Sequence, residues 1–212
     1  MSNPLSPKYP RYQEYVIKDG RLIGEFDHMY RDHPDPWAQR TAEAFTLEKC
    51  VVLNLLRKPK YRRVLELGSG LGYFTSRIVE QADAALGVDV APTAVEKARL
   101  LHPHVAFEAG DILDFDIYRR FRPDAIVMAE ISWYVLEKLP RFIEFLRREM
   151  PEVLLIHLLT TYPSGTQKYG ADVFSNLEEI MRFFSASYIE WGQVHTAESN
   201  CVRTFFVGRY TE

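Results

Sequence analysis

The stretch Val64-Leu65-Glu66-Leu67-Gly68-Ser69-Gly70-Leu71-Gly72-Tyr73 decides the fold. Its first four residues read as a short strand, and a helical pattern follows its end. Between them lie three of the chain's 11 glycines, within five residues. Glycine lets a backbone pass close to a ligand and take dihedrals closed to other residues. A helix N-terminus beside such a loop offers unpaired N–H groups. Asp89 follows Gly68 by 21 residues, closing the next apolar run, Leu86-Gly87-Val88-Asp89. A carboxylate at that place can accept both hydroxyls of a ribose. A dinucleotide fingerprint, Gly-x-Gly-x-x-Gly, requires glycine where Tyr73 stands. This chain instead carries Glu-x-Gly-x-Gly-x-Gly, with Glu66 inside the strand.

Working outward, short β-like runs fall at 64–67, 84–88, 105–108, 125–128 and 153–158. Helical stretches are expected between them, at 72–82, 92–101, 115–121 and 138–149. Such alternation implies parallel βαβ units, and continuously apolar strands imply a sheet covered on both faces. A helix over 176–184 follows, then β segments at 188–195 and 201–210 separated by Glu198-Ser199-Asn200, a turn short enough for antiparallel pairing. Upstream, the pattern is helical from Trp37 to Arg57, with Leu47, Val51 and Leu55 on one face and Pro59 closing the segment. Residues 1–36 read as irregular, with prolines at 4, 7, 10, 34 and 36. The expected organisation is an N-terminal cap over 1–45 and a main α/β domain over 46–212.

Composition excludes several classes. The chain has 212 residues, 47% hydrophobic and 26% charged, as an ordinary globular protein has. Its net charge of −3 (26 Lys and Arg against 29 Asp and Glu) provides no global field for nucleic acid. The basic run Arg57-Lys58-Pro59-Lys60-Tyr61-Arg62-Arg63 reads as a solvated helix end. No apolar stretch reaches the ~18–20 residues of a membrane helix, and residues 1–11 lack a secretory signal's apolar segment. Cys50 and Cys201 read as reduced, buried thiols of a cytoplasmic protein, and no Cys/His cluster suggests a metal.

With Glu66, the glycine triplet and Asp89 in register, a third element joins them: Glu108-Ala109-Gly110-Asp111-Ile112-Leu113. Alone, Asp111 reads as a cap or turn residue. Together the three motifs resemble the class I S-adenosylmethionine-dependent methyltransferases, from about residue 45 to the C-terminus. The resemblance implies a Rossmann-like class I methyltransferase fold: a seven-stranded, mostly parallel sheet with an antiparallel terminal hairpin. It implies S-adenosylmethionine as methyl donor and S-adenosylhomocysteine as product. Glu66 then bonds backbone or the methionine amino group, and Gly68, Gly70 and Gly72 lie along the methionine. Asp89 takes the ribose, with Val90 beside it, and Asp111 takes the adenine amino group while Ile112 packs on the ring.

The fourth strand leads into Glu130-Ile131-Ser132-Trp133-Tyr134. It lacks the [Asp/Asn/Ser]-Pro-Pro-aromatic motif of methylases acting on base amines and on glutamine, which argues against those substrates. The segment 130–136 is similar to the nodulation-type N-methyltransferases of aminosugar oligosaccharides. Asp35-Pro36-Trp37, His157 and Gly170-Ala171-Asp172-Val173 agree with that group, whereas Leu158-Leu159 stands where it usually carries Trp-Arg. The implied acceptor is an amine of a small sugar-containing metabolite.

A methyl acceptor must present a free lone pair, and a carboxylate or imidazole at the sheet's carboxyl edge can take its proton. Glu130 and His157 are the expected bases, singly or as a pair; Glu130 can equally orient substrate or cofactor, and His157 can be a core histidine. Trp37, Trp133 and Tyr134 can stack on a sugar, close the cofactor pocket or simply fill the core. Tyr162, Tyr169 and the 163–170 loop are lid candidates by position. The sequence leaves open an O-methyltransferase, a non-catalytic S-adenosylmethionine-binding protein and a nicotinamide oxidoreductase.

Overall fold

The computed structural model describes residues 7–41, 45–57, 61–162, 169–197 and 200–211. The N-terminal part holds helix α1 (Gln13–Val16), strands β1 (Ile17–Lys18) and β2 (Arg21–Leu22), and helices α2 (Phe26–Asp32) and α3 (Leu47–Leu56). The glycine stretch follows β3 (Arg63–Leu67) and enters α4 (Tyr73–Ile78). Then come β4 (Ala84–Asp89), α5 (Pro92–Leu101), β5 (Ala106–Ala109), α6 (Phe115–Phe121) and β6 (Ala125–Ala129). Two single 3-10 turns, Ser132–Tyr134 and Leu136–Lys138, lead into α7 (Leu139–Glu149). The chain closes with β7 (Leu154–Thr161), α8 (Leu177–Phe184), β8 (Ser187–His195) and β9 (Val202–Arg209).

The main sheet has seven strands in the order β5-β4-β3-β6-β7-β9-β8. All pairings from β5 to β7 are parallel, and β9 runs antiparallel to both β7 and β8. This is the expected Rossmann-like class I methyltransferase arrangement with its antiparallel terminal hairpin. The strands are apolar on both faces because both are covered. Leu65, Ile126, Met128 and Leu155 face α6, α7 and α8 through Ile117, Phe142, Phe145, Ile180 and Phe184. Val64, Val127, Ile156 and Leu158 face α3 and α4 through Val52, Leu55, Leu56, Phe74 and Ile78.

Three expectations are corrected. Residues 13–32 are ordered elements: Tyr15, Val16, Met29 and Tyr30 are buried with Leu71, Ala91 and Ala94. The five prolines lie outside residues 11–33, so they flank this segment and do not interrupt it. The helix expected from Trp37 begins only at Leu47, and its buried face is Glu48, Val52, Leu55 and Leu56; Leu47, placed on the apolar face by spacing, is 66% exposed. Strand β7 runs three residues further than the expected 153–158, through Leu159, Thr160 and Thr161, because β9 pairs with it as far as Thr161. The turn expected at Glu198-Ser199 lies outside the described residues. Among those residues no helix is long and apolar enough to cross a membrane.

Candidate functional site

Strand β3 has β4 on one side and β6 on the other, so the crossovers leave it in opposite directions. Open α/β sheets bind ligands at the carboxyl ends of strands around such a switch point. A cavity of about 600 Å³ lies there, lined by residues from the ends of β3, β4, β6, β7 and β9, the loop after β5, the start of α3 and the N-terminal segment.

The glycine loop closes its own hydrogen bonds. Gly68 N and Ser69 N donate to Val88 O at 2.7 and 3.0 Å, and Gly72 N donates to Ser69 O at 2.9 Å. Gly70 N donates to Asp89 Oδ2 at 2.8 Å, and Leu71 N to Gln39 Oε1 at 2.7 Å. The N–H groups of 68–72 are therefore all paired, and the glycines there serve the close approach of the backbone. Gly68 has φ +71°, and a Cβ on it would run into the Ile131 side chain. Gly70 has φ +55°, and a Cβ would stand 2.6 Å from Gln39 Oε1 and 2.7 Å from the Tyr30 hydroxyl. Both positions combine a left-handed backbone with close approach, and only glycine meets both demands.

Three carboxylates follow along the strand ends. Glu66, at 3% exposure, accepts the Thr75 hydroxyl at 2.5 Å, and burial pushes its carboxyl up to about 7. Asp89 is held by backbone: Ala91 N donates to Oδ1 at 2.9 Å, opposite the Gly70 bond, while burial raises its proton affinity. Asp111 accepts Leu113 N at 3.0 Å and pairs with the Lys138 ammonium. Its turn role and its place on the cavity wall thus coexist, with Ile112 buried beside it and Val90 half-exposed between the two acids.

The N-terminal segment forms the opposite wall. Asp35 Oδ1 and Oδ2 accept the N–H groups of Gln39 and Arg40 at 2.8 and 3.0 Å, a side-chain-closed turn. That turn sets Gln39 on the glycine loop and Trp37 against Tyr12 and Tyr134, at ring separations of 5.0 and 5.7 Å. Trp133 is largely buried, and its indole N–H donates to Thr160 O at 3.0 Å.

The structure separates the two expected bases. Glu130 lines the cavity, and its Oε2 and Oε1 accept Thr160 N and Oγ1, each at 2.9 Å. Burial raises its proton affinity, against the two Thr160 bonds and the Lys49 charge. Its φ of +63° is a conformation that costs a non-glycine residue on the order of 1 kcal/mol. His157 sits in mid-strand, fully buried among Phe184 and Phe206, with Phe206 stacked at 4.7 Å. Its Nε2 lies 2.7 Å from Ser132 Oγ, and burial lowers its pKa to about 3. His157 is not among the residues lining the cavity, and burial disfavours its protonated form. Of the expected bases, acting singly or as a pair, the structure therefore brings only Glu130 to the cavity wall, because the longer β7 leaves His157 in mid-strand.

Tyr162 lines the cavity, whereas residues 163–168 of the expected lid lie outside the described residues. Sequence reasoning missed Gln39, Glu48, Lys49, Lys138, Thr160 and Arg203, all of which line the cavity; Thr160 lies past the expected end of its strand. Glu48 shares the buried helical face of Val52, Leu55 and Leu56, which spacing alone does not separate from that of Leu47, Val51 and Leu55. Elsewhere, Cys50 is exposed and Cys201 half-buried, correcting the expectation of buried thiols. In the basic run, Arg62 pairs with Asp83 at 2.6 Å and Arg63 lies over the Phe121 ring; 58–60 lie outside the described residues.

Residues 27–148, more than half of the chain, match the family described as Nodulation protein S (NodS). Nodulation protein S of Bradyrhizobium diazoefficiens is 30% identical over 105 residues, 48% of this chain and 49% of that protein. The protein of the same description from Sinorhizobium fredii is 26% identical over 171 residues, 78% of this chain and 68% of that protein. The chain thus spans about half the length of the first relative and two-thirds of the second. A crystal structure of the N-methyltransferase NodS from Bradyrhizobium japonicum superposes with a TM-score of 0.58 at 20% identity, over 79% of this chain and 98% of that one. Its complex with S-adenosylhomocysteine gives 0.58 at 19% identity, over 83% and 93%. At these identities the superpositions speak to the shared fold.

Proposed function

The chain belongs to the Nodulation protein S family, and from that premise we propose an S-adenosylmethionine-dependent methyltransferase acting on an amine of a small, sugar-containing acceptor. One observation carries the cofactor half of this reading. Every N–H from Gly68 to Gly72 is spent within the chain, and Glu66, Asp89 and Asp111 face the same cavity. A pyrophosphate would need those N–H groups and would meet three acids. A ligand bearing a sulfonium, an amino group, a ribose and an adenine meets complementary chemistry at each station.

In this reading Glu66 and Gly68 hold the methionine part, with Gln39 and Trp37 closing over it, while Gly70 and Gly72, which do not line the cavity, let the loop pack on Tyr30 and Phe107. Asp89 takes the ribose hydroxyls beside Val90, and Asp111 with Ile112 takes the adenine. S-adenosylmethionine, when bound, supplies a methyl carbon already activated as an electrophile. The chain then has to place a neutral amine in line at about 3 Å and receive its proton. Glu130 serves as the base, held by Thr160 and made more basic by burial. Residues 1–45 act as a cap on the methyltransferase domain, 46–212.

Calorimetry with S-adenosylhomocysteine and NAD, followed by methylation assays on matched amine and hydroxyl sugars, tests the proposal. Saturable S-adenosylhomocysteine binding, no NAD binding and methylation of the amine series are expected. NAD binding without S-adenosylhomocysteine binding overturns the cofactor, and methylation of hydroxyl acceptors alone overturns the amine.

A further inference from the structure

Glu48 is a charged side chain, 1% exposed, on the inward face of α3. Its Oε1 accepts the Thr46 hydroxyl and lies 3.9 Å from Arg203 Nε. Its Oε2 is buried and has no hydrogen-bond partner among the described residues, and the side chain lines the cavity. Leaving a carboxylate oxygen buried and unmatched is costly, and α3 needs only an apolar residue there to continue its Val52, Leu55 and Leu56 face. A first-turn acid can favour a helix dipole, but that interaction is available from the solvent side and does not require burial.

The surroundings place this oxygen in the half of the cavity away from Asp111 and Lys138. Arg203 of β9 is in register with Thr160 of β7, whose N–H and hydroxyl hold Glu130. Glu48 and Glu130 thus line one cavity, linked through Arg203 and Thr160. Beyond burial, which dominates, the Glu48 charge is among the groups that raise the proton affinity of Glu130. The Thr46 hydroxyl and the Arg203 guanidinium engage one oxygen, and the other is left buried behind the cavity wall with no protein partner among the described residues.

We propose that Glu48 is the acceptor-recognition residue: its Oε2 accepts a hydrogen bond from the ammonium group of an amino sugar, holding the amine for Glu130. This rests on the methyltransferase reading above and adds the group that selects the acceptor. Binding the cationic form suits two neighbouring carboxylates, and the proton leaves to Glu130 before the nitrogen attacks. Glu48 touches substrate and takes no proton itself.

The test uses the full chain, with the glucosamine tetramer as probe and its fully N-acetylated counterpart as control. Glu48→Gln is expected to bind S-adenosylhomocysteine as wild type does. Its KM for the glucosamine tetramer should rise roughly tenfold or more, with a smaller change in kcat, because one charge-assisted hydrogen bond of binding is lost. The N-acetylated control should be a poor acceptor for both proteins. An unmoved KM in Glu48→Gln overturns the inference, as does loss of S-adenosylhomocysteine binding in a folded variant, which would mark Glu48 as part of the cofactor site. Should Glu48→Gln not fold, Glu48→Asp carries the test, since it keeps the charge but retracts the oxygen by one methylene; an unmoved KM there overturns it equally. Wild type that methylates no amine defeats the proposed function and this inference with it. Turnover by wild type with an unmoved variant KM defeats this inference alone.

Discussion

Glu66 and His157 are both buried titratable groups, and their environments act on them with opposite consequences. Burial lifts the Glu66 carboxyl to about 7, with the Thr75 hydroxyl and the Lys49 charge pulling the other way. The folded chain therefore holds that proton more tightly than the unfolded chain does. Stability from this group is complete below the ordinary carboxylate pKa and is lost as pH rises to 7. Glu66→Gln keeps an acceptor for Thr75 and removes the ionisation. Without ligand it should raise Tm at pH 8 by several degrees, on the order of 1–3 kcal/mol, with the gap closing at pH 5. Equal Tm values at pH 8, read by scanning fluorimetry, would show that the buried acid ionises without cost. For His157 the shift is downward, to about 3, caused by burial. The unfolded chain takes up this proton first, so its stabilising contribution is present above about 6.5 and is lost as pH falls toward 3. His157→Leu leaves the Ser132 hydroxyl unmatched and should cost about 1–3 kcal/mol at pH 7 while turnover persists. A folded His157→Leu protein with collapsed kcat would restore the imidazole to the chemistry.

Among the elements, the 35–39 turn joins local geometry to ligand binding. Asp35 closes it with two backbone hydrogen bonds, and the turn then delivers Trp37 to the cavity wall and Gln39 to Leu71 N. Asp35→Ala frees both N–H groups, so the turn loosens. S-adenosylhomocysteine affinity should fall by roughly three- to tenfold, the equivalent of one ordinary hydrogen bond, with little change in Tm because the turn is half-exposed. Unchanged affinity by calorimetry would separate the turn from the cofactor site. The strands and crossovers were legible because β3 to β7 are continuously apolar and punctuated by glycine, proline and helical periodicity. The carboxylates were legible from their spacing to one another: Glu66 inside β3 just ahead of the glycine triplet, Asp89 closing β4 and Asp111 just after β5. What escaped depends on partners distant in sequence. The length of β7 is set by β9, and Thr160 therefore carried no strand signal of its own. The α3 face was misassigned because Leu47, Val51 and Leu55 share helical spacing as well as the true face does, and reading Glu48 as inward requires the sheet beneath it. Residues 13–32 are short elements whose burial against Leu71, Ala91 and Ala94 exists only after the sheet has formed.

At the scale of the molecule, a net charge of −3 describes the surface poorly as a guide to the ligand, because the cavity has its own balance. Its described lining carries five carboxylates (Glu48, Glu66, Asp89, Asp111 and Glu130) against Lys49, Lys138 and Arg203. Low-dielectric walls strengthen such a field, so a cation is drawn in and an anion is opposed. An amine with a pKa of about 8, like an α-amino group, is mostly protonated at neutral pH, and that is the form the cavity favours. Binding the ammonium ion and passing its proton to Glu130 requires Glu130 ionised and the amine protonated in the free state. The profile of kcat/KM against pH should then be a bell. Its acid limb lies above the usual carboxylate range, since burial raises Glu130 against the Thr160 hydrogen bonds and Lys49. Its alkaline limb follows the acceptor and moves when an amine of different pKa is used. A site that admitted only the neutral amine, and needed no base, would instead give a kcat/KM that climbs to a plateau above the amine's pKa. Rates for two amino sugars of different basicity between pH 5 and pH 10 distinguish the cases, and a plateau that persists to the alkaline end would remove both the ammonium ion and Glu130 from the acceptor step.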